Sequence, residues 1–195
     1  MDKRGFLAAA GWLPMMHPAS AASTPAQPSA GPALLTVSGA VSKSNRGPLD
    51  PTLEPLMAKH GIQFTKAWTF DAAALNRLSA VTIHPTLDHD GKVHALQGPL
   101  LETVLQAAGA ASAPQVMLGL RAVDGYNVMV SLEDARSYRM VVATRMDGRP
   151  LGLGGMGPQW AMYEADTLPA FKDKPLKERF GLCPWGLYHI DVKVM

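Results

Sequence analysis

The chain has 195 residues, with 18 Lys and Arg against 16 Asp and Glu, for a formal net charge of +2. That length suits one domain plus a leader and can bury a proper core without disulfides or a structural metal. A small charge with no stripe of Lys or Arg argues against nucleic acid or an anionic membrane as a partner.

Residues 1–22 read as a secretory signal peptide. Basic Lys3-Arg4 precedes an apolar stretch over 5–13, Pro14 breaks it, and Ala19-Ser20-Ala21 offers a small-residue cleavage site. The expected location is therefore the periplasm. The apolar stretch is shorter than the about 20 residues of a spanning helix, and an uncleaved anchor is the alternative. Lys3-Arg4-Gly5-Phe6-Leu7 is partly like a twin-arginine signal, with Lys in place of one arginine. Loss of the leader leaves the mature chain near neutrality. Its lone Cys183 cannot form an internal disulfide, so stability rests on the core.

Residues 23–33, rich in Ser, Thr, Ala, Gln and Pro, read as a flexible tether, which leaves 34–195 as the folded domain. A strand is expected over 34–41, ended by the Gly-Pro-Leu-Asp-Pro turn at 47–51, with a short helix over about 52–60 stopped by Gly61. Asp71 sits as a cap before Ala72-Ala73-Ala74, with Phe70 and Leu75 spaced as a hydrophobic staple. Strands over 82–87 and 92–96 flank His89-Asp90-Gly91 as a hairpin, the first placed at an edge by Pro85. The clearest helix follows. Pro99 suits its first position, Leu101, Val104, Leu105 and Ala108 share a face, and Gly109 closes it.

The remainder is mostly strand: 116–123 and 126–131 around Asp124-Gly125, a helical turn over 131–135, 140–144, the Asp147-Gly148 turn, and 186–194. The pattern is α+β. The glycine cluster over 152–158 lets backbone approach a ligand closely, but it lacks the strand-to-helix setting and spacing of a phosphate-binding loop.

No metal-ligand spacing or Gly-x-Ser-x-Gly nucleophile signature is present. His84, His89 and His94 recur every five residues in the hairpin and read as solvated turn and strand histidines, with a metal site as the alternative. Cys183 reads as a buried or tolerated thiol. As a catalytic group it would need an electropositive neighbour such as Lys177 or Arg179.

Several segments in order carry a resemblance: Leu-Thr-Val-Ser-Gly (35–39), 70–78, Gly98-Pro99-Leu100-Leu101-Glu102-Thr103-Val104-Leu105, Asp124-Gly125-Tyr126, Asp147-Gly148-Arg149-Pro150-Leu151, Gly157-Pro158-Gln159-Trp160, and the close from Trp185 to Val192. This succession resembles the oxidoreductase molybdopterin-binding domain family across nearly the whole mature chain. The resemblance implies a sulfite oxidase-like molybdopterin-binding fold, with mixed β-sheets and a few short helices. In enzymes of that family a cysteine thiolate holds molybdenum on the strand before the Gly-x-Pro-Leu helix. The corresponding stretch here, Val81-Thr82-Ile83-His84-Pro85-Thr86, has none. Those enzymes also tend to place a phosphate-forking arginine after the Gly-Pro pair, where Gln159-Trp160 stands.

The chain is more similar to a small exported subfamily, some members of which bind reduced pterins. That resemblance implies a periplasmic, non-catalytic pterin-binding protein that relays its ligand to an inner-membrane GGDEF/EAL-type sensor controlling cyclic di-GMP. It also implies no bound metal, and molybdopterin itself is not expected. In this reading Trp160 stacks on the pterin and Asp124 accepts from its amino-pyrimidinone edge. Thr82, Thr86, Tyr126, Arg145, Gly155 and Gly157 complete the pocket. Against this, Asp124-Gly125 reads as a plain tight turn, Tyr126 alternatively as a core aromatic, and Trp185 and Tyr188 as core packing on the last strand. The alternatives are a ligand-free interaction module whose pocket is filled by Trp160 and Met156, and a molybdopterin-dependent oxidoreductase with an atypical site.

Overall fold

The computed structural model describes residues 31–195, so the leader and most of the tether fall outside the described residues. Among the described residues, three sheets and four short α-helices form an α+β arrangement. The largest sheet has five strands, in the order β2 (Ala67–Phe70), β1 (Leu35–Gly39), β11 (Leu187–Val194), β5 (Val116–Ala122) and β6 (Asn127–Ser131). The first and last strands, β1 and β11, pair in parallel with Val37 opposite Ile190, and all the other pairings in this sheet are antiparallel. Flanked on both edges and covered on both faces, β1 buries Leu35, Thr36, Val37 and Ser38 in succession. A two-sided burial of this kind erases the alternation that marks a half-buried strand.

A second sheet runs β3 (Ala80–Ile83), β4 (Leu96–Pro99), β8 (Arg145–Met146) and β9 (Arg149–Pro150), and β7 (Val141–Ala143) pairs with β10 (Trp160–Met162). The helix α1 (Pro55–Lys59) buries no residue. In α2 (Ala72–Asn76) the expected cap is present, with the Ala74 amide donating to Asp71 Oδ1 at 2.6 Å. Ser131 caps α4 (Leu132–Ser137) in the same way. The helix α3 (Leu101–Ala107) buries Leu101, Val104 and Leu105, the face its spacing predicts, and ends before Gly109.

The 82–96 hairpin differs from expectation. Its strands are Ala80–Ile83 and Leu96–Pro99, displaced outward, because Pro85 ends the first strand. Pro99 is the last residue of β4, opposite Ala80, and not the first turn of the helix. Its missing N–H would be costly mid-ladder but is tolerated at a strand end. Where β4 crosses β7, Gly98 lies so close that a Cβ there would sit 2.0 Å from the Val142 carbonyl oxygen.

Residues 163–183, irregular apart from a 3-10 turn at Leu176–Glu178, are anchored by aromatic packing. The Tyr163 and Phe171 rings stack at 4.5 Å between centroids, with Tyr138 edge-on to Phe171 at 5.1 Å. The Tyr163 hydroxyl donates to the Arg179 carbonyl at 2.6 Å, and the Arg179 guanidinium pairs with Asp166 at 2.7 Å. These contacts offset the conformational entropy lost in ordering a long loop.

Candidate functional site

A cleft with two lobes opens where α2 faces β4 and β8. One lobe, of about 250 Å³, is lined by Leu75, Asn76, Leu78, Gln97, Thr144 and Arg145 among others. The second, of about 190 Å³, shares Leu75, Asn76, Thr144 and Arg145 and extends to Pro150, Leu151, Pro158 and Gln159. Each lobe is smaller than the roughly 300–1,000 Å³ of drug-sized sites.

Local structure explains how these residues meet. Thr82, Gln97 and Arg145 are directly opposed across β3, β4 and β8, so their side chains rise from one face of that sheet. The Thr144 amide donates to Gln97 O at 2.9 Å and the Leu151 amide to Thr144 O at 2.9 Å, which fixes the cleft floor. Gly157, joined to Pro158 by a cis peptide bond, packs against the Leu151 backbone so closely that a Cβ would lie 2.5 Å from its carbonyl. This crossing sets Pro158 and Gln159 in the wall. The Gln159 side chain is buried, and its amide nitrogen, in the orientation that satisfies both of its polar groups, donates to Leu187 O at 2.7 Å.

Among the described residues lining the two lobes, Arg145 is the only ionisable one. Its guanidinium makes one hydrogen bond among the described residues, a long one of 3.3 Å to Gly148 O. Most of its donors therefore remain available to a ligand.

Of the residues expected in the pocket, Arg145 lines the cleft, Gly157 shapes its wall and Thr82 stands in the adjoining row. Gly155 lies in the exposed glycine loop, its amide donating to Gly152 O at 3.2 Å. Four others lie elsewhere. Trp160 is 3% exposed, and its indole Nε1 donates to Cys183 O at 3.0 Å. Its ring belongs to the core and offers no open stacking face. Asp124 Oδ1 accepts the Tyr126 amide at 2.8 Å within the Asp-Gly turn. The Tyr126 hydroxyl donates to Gly181 O at 2.9 Å, away from the cleft. Thr86 donates its amide to Asp166 Oδ2 at 2.6 Å. Asn76, Gln97 and Thr144 lacked any sequence signal, being single polar residues in unremarkable contexts.

The donor set does not fit molybdenum. Where a thiolate would stand, the backbone amides of His84 and Thr86 are held by the carboxylates of Glu164 and Asp166. Cys183 is buried beside Tyr163, and that burial pushes its thiol well above the usual range, so it stays protonated. A buried thiol outside the cleft cannot serve as the metal's soft ligand.

A separate polar cavity of about 200 Å³ lies on the large sheet, lined by Arg121, Asn127, His189, Asp191 and Lys193 together with residues 61–63. His189 Nε2 lies 2.8 Å from Ser38 Oγ, and the Phe64 ring stacks on the imidazole. Burial lowers the His189 pKa from 6.5 to about 4, with Arg121 acting in the same direction and Asp191 opposing it. This side chain is a neutral core histidine at pH 7.

These features define an α+β domain of mixed sheets and short helices with a small cleft on one sheet. The fold is shared with the sulfane dehydrogenase SoxCD from Paracoccus pantotrophus, at a TM-score of 0.52 and 11% identity. The likeness covers 83% of this chain and 38% of that one, and it bears out the fold class that the sequence resemblance implied. No family model and no curated protein matches the sequence.

Proposed function

We propose that this protein is a periplasmic, non-catalytic receptor that holds a small, metal-free pterin in the α2–β4–β8 cleft and relays it to an inner-membrane signalling protein. The observation that carries the reading is the Arg145 guanidinium, with its donors largely unused, beside Asn76, Gln97 and Thr144 in a cleft of small volume. A pterin presents a carbonyl acceptor and adjacent N–H donors on one edge. Arginine can donate to the carbonyl, while the side-chain amides both donate and accept. Leu75, Pro150, Leu151 and Pro158 supply apolar surface for the ring faces. With Asp124 engaged in its turn, the amides take the acceptor role assigned to that carboxylate. Export and the membrane partner rest on the leader-like segment and the family resemblance.

The test is calorimetric titration of the purified chain with a tetrahydropterin, together with the ultraviolet spectrum of protein isolated from periplasm. Saturable one-to-one binding that weakens at least about tenfold in Arg145→Ala is expected, the loss of a charge-assisted hydrogen bond. The burial of Trp160 favours a second reading, in which the domain is a ligand-free interaction module with its old pocket partly filled. Absence of binding in both experiments would select it.

A further inference from the structure

We propose that His89, Asp90 and His94 form a binding site for a divalent first-row transition ion of the nickel, copper and zinc group, at the tip of the 87–94 turn. One ligand atom from each of these residues lies within 4.8 Å of the others. The His94 ring is held in place by a carboxylate at each nitrogen. Its Nε2 lies 3.0 Å from Asp90 Oδ2 and its Nδ1 lies 2.7 Å from Asp147 Oδ2. Asp147 is fixed in turn, its Oδ1 accepting the Ala95 amide at 3.0 Å. A carboxylate on the far nitrogen of a ligating histidine selects the tautomer, orients the ring and raises its basicity, and such partners commonly support metal-bound imidazoles.

Asp90 is held as well, because its Oδ1 accepts the Lys92 amide at 3.0 Å and leaves Oδ2 facing His94. The His89 and His94 rings lie 6.1 Å apart and within 23° of parallel. In a tetrahedral site with bonds of about 2.0–2.1 Å, neighbouring ligand atoms are about 3.3 Å apart. The His94–Asp90 pair is near that spacing, and His89, exposed and with no hydrogen bond among the described residues, closes the remaining gap by a side-chain rotation. On coordination the metal takes the place of the hydrogen between His94 Nε2 and Asp90, and that proton passes to solvent.

Two imidazoles and one carboxylate suit borderline ions, whereas calcium and magnesium require more oxygen ligands. Three protein ligands leave a coordination position for water or another ligand. Because Asp147 belongs to the β8–β9 turn that follows Arg145, a bound ion fastens the 87–94 turn to the strand pair bordering the cleft. His84, the third member of the five-residue series, has its backbone drawn to Glu164 instead and takes no part.

The test is calorimetric titration of the full chain, purified without a histidine tag, with zinc chloride, repeated with magnesium chloride. One zinc per chain at micromolar affinity is expected, lost in His94→Ala and in His89→Ala, and retained in His84→Ala. Asp147→Asn should weaken binding roughly 10–100-fold, as supporting carboxylates do. His89 is exposed, so His89→Ala keeps the fold and the experiment stays informative if His94→Ala does not fold. Undetectable zinc binding, binding that survives His89→Ala, or equal binding of magnesium would overturn the proposal. None of these results depends on whether a pterin binds.

Discussion

Acidification should destabilise this domain in part through a single buried imidazole, His189. In the folded chain its imidazole is 3% exposed, held by Ser38 and covered by Phe64, with its pKa lowered from 6.5 to about 4. Below the unfolded value the unfolded chain binds a proton that the native chain refuses, so stability falls as pH drops from about 6.5 and levels off below about 4. At 1.36 kcal/mol per pKa unit, the separation is worth about 3 kcal/mol in full, most of it already lost by about pH 4.5. Arg121 and Asp191 also act on this ring, in opposite directions. The assay is urea unfolding followed by tryptophan fluorescence at about pH 7 and about pH 4.5, for the native sequence and for His189→Gln. The glutamine cannot titrate but can still bond Ser38. The native chain should lose about 2.5 kcal/mol more than the variant over this interval. Equal losses would refute the burial argument, since carboxylates elsewhere contribute equally to both chains.

Other outcomes follow from single contacts. Gly98→Ala drives a Cβ into the Val142 carbonyl, rigid backbone on both sides, and should cost about 3 kcal/mol in denaturant unfolding. Asp71→Ala removes the α2 cap and the acceptor of the Gly31 amide, an expected loss of about 1–2 kcal/mol by the same measurement. Cys183, buried and protonated, should react with a thiol reagent only as fast as the domain opens. Rapid labelling under native conditions would contradict its placement in the core.

What could be read in the sequence was local. The Asp71 cap, the buried face of α3 and the Asp147-Gly148 turn depend on residues within one or two turns of each other, and all are present in the structure. Pairings set by distant chain were not legible. A Gly-Pro-x-Trp sequence fits both a stacking platform and a core residue, and the choice shows only in the fold, where the indole is buried and donates to Cys183 O across the 163–183 loop. The histidine series suggested a gathering at a hairpin tip, but only folding shows that Asp147 supports His94 while His84 turns away. Within the cleft Arg145 was anticipated, whereas Asn76, Gln97 and Thr144 reach it from α2, β4 and the link between β7 and β8, whose proximity no periodicity encodes.

The pterin reading stands or falls most directly on amide chemical-shift mapping by NMR as a tetrahydropterin is added to the purified chain. The account predicts saturable shifts concentrated at Asn76, Gln97, Thr144, Arg145 and Gly157. Shifts confined to Gly119, Arg121 and Asn127 on the large sheet, or none at saturating ligand, would contradict it.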